Sequence, residues 1–523
     1  MEPKPTLPQV LPTGEQPVVV EQTSIGLVVA DTFAGRVHVE WDNSAPVTAY
    51  GQMPFFIDFV KLAGLFDRLV ADCPVHYTSP NAPTPRDLVG TTFLSVLAGH
   101  WRYAHITALR CDPVNPPLLG MTKVISEDGV RRGYEKIDEE TGDAWLQGHL
   151  DYTTRPLLNE PWILDIDTTV KPLYGHQEGA VVSYNPNKRG RPSHSYHCYI
   201  MSNLRLVLTV DVAPGNEHTS KHSAPRLWKY LDGLAPEQRP RLVRGDVGFG
   251  NEPVMREAEQ RDQPYLFRLK LSANVKRAIE RAMGEKDWQD AGHGWQGKDG
   301  QLRLEGWSRH RRIVILRRQR SDKEPKRNDD PDQLRLSFPM LEHGEEKKSW
   351  EYGVLVTSLD SEILTLGQLY RDRADCENAF DELKNQWGWG GFTTKDLKRC
   401  RLMTGFVALF YNWWNLFVRL ADPNHHREAI TSRPLLLQAI GRQTRHAGQT
   451  RITITSSHGD HQRAQKALAA IAQFFLELRN AAEQLTPIDR WYRILSEALK
   501  KFLRGRKLTP LPQLQSSEAA GYG

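Results

Sequence analysis

The chain has 523 residues, 39% hydrophobic and 25% charged, which at ~100–200 residues per domain gives room for three or four domains with real cores and excludes collagen-like, wholly disordered and coiled-coil architectures. Its net charge of +5 is unevenly spread: residues 395–507 hold 20 Lys and Arg against 8 Asp and Glu, leaving 48 against 55 elsewhere, so a polyanion is drawn to the C-terminal part. The five cysteines, at 73, 111, 198, 376 and 400, form no C-x-x-C pair; that excludes a zinc ribbon and suits a reducing compartment.

Residues 1–17 are proline-rich and lack the basic-then-apolar pattern of a secretion signal, so a cytoplasmic location is expected. Ser24 to Trp41 alternates around Phe33-Ala34-Gly35 and reads as a hairpin. Phe55 to Val70 and Leu88 to Leu109 carry apolar residues at helical spacing, and Pro113 to Pro117 reads as a linker. Ser126 opens a helical stretch to Leu150, with Glu127 and Asp128 in its first turn and four glycines that argue against one unbroken helix.

From Pro161 the pattern changes to strands at 161–167, 181–184, 194–200 and 204–212, then a helix at 221–234, a strand at 241–246, a helix at 252–260 and a strand at 265–270. Strands followed by alternating helices and strands imply a mixed α/β sheet covered by helices. Trp288, Trp295 and Trp307 lie among short alternating runs, Arg317 to Lys348 is highly charged, and Trp350 to Ser358 reads as a strand, so a β-rich insertion is expected. Helix returns from Thr365. Leu402 to Val418 is free of charge but contains Asn412 and Asn415 and is shorter than the ~20 apolar residues of a membrane span, so it is expected as a buried core helix with no membrane contact.

Three acidic positions lie where one cleft could gather them. Asp167 ends the first apolar strand, Asp246 ends the strand at 242–246, and Glu377 lies on a helix whose Tyr370, Arg373, Glu377 and Lys384 form one stripe. Asp165 shares a strand face with Asp167, and either could be a ligand. Carboxylates that hold two divalent ions can stabilise both oxygens of a phosphodiester displacement, and hard oxygen ligands suit Mg²⁺ or Mn²⁺. His176, His194 and His197 have no further ligand set beside them, so hydrogen bonding within the fold is the expected role.

The segment Tyr370-Arg-Asp-Arg373-Ala-Asp-Cys-Glu377 with Lys384 resembles the tyrosine, arginine, glutamate and lysine signature of a branch of DDE transposases of bacterial insertion sequences. Asp167-Thr168-Thr169 and Arg244-Gly245-Asp246-Val247-Gly248-Phe249 resemble that branch's first and second catalytic aspartates, and Gly175-His176-Gln177-Glu178-Gly179 resembles the corresponding region. Similarity runs from about Ser126 to Phe417.

The resemblance implies a ribonuclease H-like catalytic domain at 151–271 and 351–420, interrupted by the β-rich insertion at 272–350. Around it would lie an N-terminal DNA-binding region at 18–150, a basic C-terminal region at 421–508, and disordered tails at 1–17 and 509–523. It further implies Asp167, Asp246 and Glu377 as catalytic ligands of two Mg²⁺ or Mn²⁺ ions, with Tyr370, Arg373 and Lys384 on phosphates near the cut; the basic charge of the C-terminal region adds Arg442, Arg445 and Arg451 as expected DNA contacts. The implied reaction is metal-dependent cleavage at transposon ends followed by joining of the 3′ ends to target DNA. Hairpin ends are possible products in such enzymes, and Trp288, Trp295 and Trp307 are then candidates to stack a flipped base. The expected partners are terminal inverted repeats and target DNA, with a homodimer in the active complex on a bacterial nucleoid. A structure-specific nuclease without strand transfer and an inactive DNA-binding descendant are the alternatives.

Overall fold

Residues 28–183, 188–217, 219–319, 350–455, 460–481 and 485–509 are described by the computed structural model. The expected tails, apart from Thr509, and the charged stretch from 320 to 348 lie outside them. An exposed hairpin comes first, β1 (Val28–Thr32) and β2 (Gly35–Val39) meeting across Phe33-Ala34, where Gly35 takes φ +114°. β3 (Val47–Thr48) leads into α1 (Met53–Leu62), α2 (Leu65–Ala71) and α3 (Pro85–Leu97). Thr84 and Asp87 close a reciprocal capping box on α3, which satisfies two backbone N–H groups that the first turn leaves free.

After a 3-10 segment at Tyr103–Cys111, the stretch expected as a linker holds α4 (Asn115–Leu118) instead. The Asp112 carboxylate accepts from the N–H groups of Val114 and Asn115, and the Asn115 amide donates to Thr48 Oγ1 at 2.9 Å, so the turn is buried and bonded. The helical stretch from Ser126 divides into α5 (Glu127–Glu135) and α6 (Glu139–Thr154). The division falls at Asp138, whose side chain caps Thr141 N at 2.9 Å, and at none of the four glycines.

The sheet strands are β4 (Ile163–Pro172), β5 (Val181–Val182), β6 (Pro192–Met201) and β7 (Leu206–Pro214), followed by α7 (Thr219–Asp232), β8 (Leu242–Gly245), α8 (Glu252–Gln260) and β9 (Tyr265–Arg268). Next come α9 (Ala273–Met283), β10 (Gln289–Gly292), β11 (Trp295–Leu302), β12 (Arg311–Gln319) and β13 (Trp350–Thr357). They join into one ten-stranded sheet in the order β10-β11-β12-β13-β9-β8-β4-β6-β5, with β7 also on β6. β4, β8 and β9 run parallel and the other pairings are antiparallel. The strands of segment 272–350 thus continue the central sheet through β13 and β9, and that segment also contributes a helix, α9.

The chain continues through α10 (Ile363–Arg371), α11 (Ala374–Asn385), α12 (Leu397–Ala421) and α13 (Ala429–Leu436). The hairpin β14 (Gly441–His446) and β15 (Gln449–Ile454) then pairs with β3, ahead of α14 (His461–Asn480) and α15 (Pro487–Ala498). α12 is the axis of the core, buried from Leu402 to Val418 against α6, α3, α15 and β7. Its two asparagines face the sheet: the Asn412 amide accepts from Val207 N at 2.8 Å and donates to Val207 O at 2.7 Å. No helix among the described residues is long and apolar enough to cross a membrane.

Candidate active site

β4 and β8 place the two aspartates side by side. Their parallel register pairs Asp165 with Arg244 and Ile166 with Gly245, so Asp167 and Asp246 come next on neighbouring chains ~4.8 Å apart. Asp246 follows the end of β8, but Asp167 does not end its strand as expected, because pairing with β6 carries β4 on to Pro172. Asp246 opens a turn, accepting from Gly248 N at 2.9 Å, and Gly245 is needed before it because a Cβ there would stand 2.8 Å from the Phe249 ring.

The ambiguity between Asp165 and Asp167 is resolved by burial. Asp165 is fully buried, and Arg244 grips it with Nε at 2.6 Å and Nη2 at 2.8 Å. Arg244 also donates to Ser202 Oγ at 2.7 Å and to the Leu369 carbonyl at the end of α10. Burial raises the Asp165 pKa and Arg244 opposes the rise. Asp167 is partly open; its Oδ1 accepts from Thr168 N at 2.7 Å and its Oδ2 accepts from Arg373 Nη2 at 2.6 Å.

The expected single helix for Tyr370, Arg373, Glu377 and Lys384 is in fact two: Tyr370 closes α10 and Arg373 is the residue before α11. The intervening turn is tightened, with Arg373 N bonded to Tyr370 O and Cys376 N to Arg373 O. That turn brings Arg373 inward to 5% exposure, where it contacts Asp167 and also Glu377 Oε1 at 3.5 Å. Burial opposes the Arg373 charge, yet Asp167, Tyr370 and Asp246 together hold its pKa well above the ordinary value. Burial lowers the Lys384 pKa, against the pull of Asp167 and Asp381. Burial raises the Tyr370 pKa, with Arg373 and Arg268 opposing and Asp246 and Asp167 reinforcing.

Arg373 is thus the group of the signature that is ion-paired to two of the carboxylates, Asp167 and Glu377. Among the described residues, no three His, Cys, Asp or Glu side chains are gathered closely enough to hold an ion. Arg373 stands between two of the carboxylates, and the Glu377 side chain is 61% exposed and able to turn. Two of the three histidines have bonding roles: His197 Nδ1 is 2.6 Å from Ser223 Oγ and 3.1 Å from Thr168 Oγ1, and His194 Nε2 is 2.8 Å from Glu178 O.

The tryptophans differ among themselves. Trp307 is core, at 6% exposure. Trp288 and Trp295 are half-buried, with the guanidinium of Arg317 3.8 Å from the Trp288 ring centroid and that of Arg318 5.2 Å from the Trp295 centroid. Arg442, Arg445 and Arg451 are exposed on the β14–β15 hairpin, where Arg442 donates to Ser44 Oγ at 2.6 Å. Sequence reasoning missed Arg244. A charged residue in the apolar run Leu242-Val243-Arg244-Gly245 was the available signal, since a buried charge needs a partner.

The profile of the transposase DDE domain group 1 family matches residues 66–475. The chain belongs to this family. It is thus placed among the DDE transposases, consistent with the acidic positions on β4, β8 and α11. No curated protein matches the sequence. The solved structure described as the piggyBac transposase synaptic complex with hairpin DNA is 11% identical, with 91% of each chain covered and a TM-score of 0.36, too slight a likeness to bear on the fold.

Proposed function

We propose that this transposase cuts DNA at transposon ends and joins the freed 3′ ends to target DNA at the centre formed by Asp167, Asp246 and Glu377. One observation carries the reading: Arg373 bonds Asp167 and Glu377 together while the β4–β8 register sets Asp246 beside them. The strand order β7-β6-β4-β8-β9, three antiparallel strands followed by two parallel ones, supports a ribonuclease H-like catalytic core.

The donor chemistry fits divalent cations. All three side chains are hard carboxylates, one midway along β4, one just after β8 and one on an exposed, adjustable glutamate. They would hold Mg²⁺ or Mn²⁺, two ions per site, and when bound such ions supply stabilisation of charge on the attacking and leaving oxygens. The chain's own groups do the rest. Arg373, held charged by its carboxylate neighbours, can pass from Glu377 to a phosphate oxygen as Glu377 turns. Lys384 and Tyr370, drawn to the same centre, orient the phosphate on either side of the cut, and Arg442, Arg445 and Arg451 contact the flanking duplex. Where release proceeds through hairpin ends, Trp288 and Trp295 are the two of the three candidate tryptophans that are only partly buried. Two ends must be cut together, which favours a homodimer.

The test is Mg²⁺-dependent cleavage of the element's terminal repeats with Asp246→Asn as control. Wild-type cleavage with none from the variant supports the assignment; equal cleavage by both removes Asp246 from the mechanism.

A further inference from the structure

The rim beside the candidate active site is lined by aromatic and cationic side chains that the reading above does not use. Trp101 is 45% exposed, and the Arg102 guanidinium lies 4.2 Å from its ring centroid. This pair is anchored through its backbone to the loop after α11. Phe392 N donates to Trp101 O at 2.7 Å, and Gly391 lies so close to that carbonyl that any side chain there would collide with it. Gly391 belongs to the loop that follows α11, whose Gly390 N donates to Lys384 O at 3.3 Å.

The same loop reaches the aspartate strand. The Gly391 carbonyl accepts from Lys171 Nζ, four residues beyond Asp167 on β4. Just past β4, Tyr174 is 65% exposed, and its ring lies 5.0 Å from Lys188 Nζ and 5.0 Å from the Arg191 guanidinium. Arg189 and Lys395 are exposed nearby in sequence. Gly391 therefore touches both the residue before Arg102 and, through Lys171, the end of β4 that leads to Tyr174.

We infer that this rim is a binding track for unpaired DNA next to the cut, a deepening of the reading above that rests on it. Trp101 stacks a base, Arg102 lies alongside to contact a phosphate, and Tyr174 is a post that holds Lys188 and Arg191 against the following phosphates. The partner is single-stranded because only an unpaired base offers its face to an exposed ring, and a cationic groove with an aromatic platform is how proteins hold such strands regardless of sequence. Duplex DNA would use the cations alone.

The test uses the full-length protein and fluorescence anisotropy with two probes, a dT12 strand and a 12-base-pair duplex, over a salt series. The expected result is that Trp101→Ala weakens dT12 binding about tenfold and Trp101→Phe restores most of it, while duplex binding changes less than about twofold. Lys188→Gln with Arg191→Gln should lower the dT12 salt slope by about 1.4, two phosphate contacts' worth on a single strand. Equal loss on both probes, or Trp101→Ala binding dT12 as wild type, overturns the inference; thermal melting of each variant confirms that it is folded. Because no cleavage is measured, the outcome is separate from that of the Asp246→Asn cleavage test.

Discussion

Two arginine–aspartate pairs sit two residues apart on β4, and they are built for opposite purposes. Arg244 and Asp165 are sealed, at 1% and 0% side-chain exposure, with Ser202 and the Leu369 carbonyl completing the guanidinium's bonds. Arg373 and Asp167 are more open, at 7% and 16%, and Arg373 shares its charge with a largely exposed glutamate. The sealed pair ties β4, β8 and the end of α10 into a fixed frame. The open pair stands at the edge of that frame, where charge can be exchanged for a ligand. The same two residue types thus fix geometry in one place and supply adjustable charge in the other, and what separates them is burial and the number of completed bonds.

The largest expected effect tests the open pair. Asp167→Asn should reduce cleavage of transposon ends by on the order of 10³-fold or more, about 4 kcal/mol of barrier, while the melting curve changes little. A large loss of stability instead would mean that Asp167 belongs to the frame. Next comes the sealed pair: Arg244→Met should cost about 3–5 kcal/mol in denaturant unfolding because it leaves a buried, unpaired carboxylate. Pairing it with Asp165→Leu should recover most of that loss, and a double variant as unstable as the single one would show that Ser202 and Leu369 matter more than the ion pair.

A smaller effect concerns pH. Burial lowers the pKa values of His100, His149 and His197 to about 4, each below the ordinary 6.5. Between those values the unfolded chain binds more protons than the folded one, so stability is present above about 6.5 and is lost as pH falls toward 4. Urea unfolding across this window should show that slope, and His197→Gln should flatten it; an unchanged slope would remove His197 from the effect. The smallest effect is expected for Glu377→Gln, whose i,i+4 pair with Arg373 contributes ~0.3–0.5 kcal/mol to folding, although the variant should be as inactive as Asp167→Asn. A marked change in unfolding free energy would reclassify Glu377 as structural.

Much of this site was legible in the sequence because its residues lie on strongly patterned elements. The apolar runs before Asp167 and Asp246 are buried strand segments, and their register follows once they are parallel neighbours; that β4 runs on past Asp167 was hidden by the polar residues that follow it. The break between Tyr370 and Glu377 was not legible: no proline or glycine marks it, and it exists because a buried Arg373 must reach Asp167 across the fold. Nor could the pattern separate Asp165 from Asp167, since they share a face and only Arg244, 79 residues away, distinguishes them. The strands between 289 and 319 carry the right period but nothing in it says which edge they join; that is fixed by β13 pairing with β9. α9 was missed because its amphipathic run follows directly on a strand and precedes the tryptophan-bearing strands.

The Asn412 amide has a consequence beyond cohesion of the core. β7 pairs on one side with β6, and an unmatched strand border is a template for docking by a neighbouring molecule. By occupying both the N–H and the carbonyl of Val207, one side chain of the long central helix closes one position of that border, and Arg401 of the same helix closes another at the Val212 carbonyl. An Asn412→Leu protein would leave that buried peptide group without partners and should lose about 1–3 kcal/mol in denaturant unfolding.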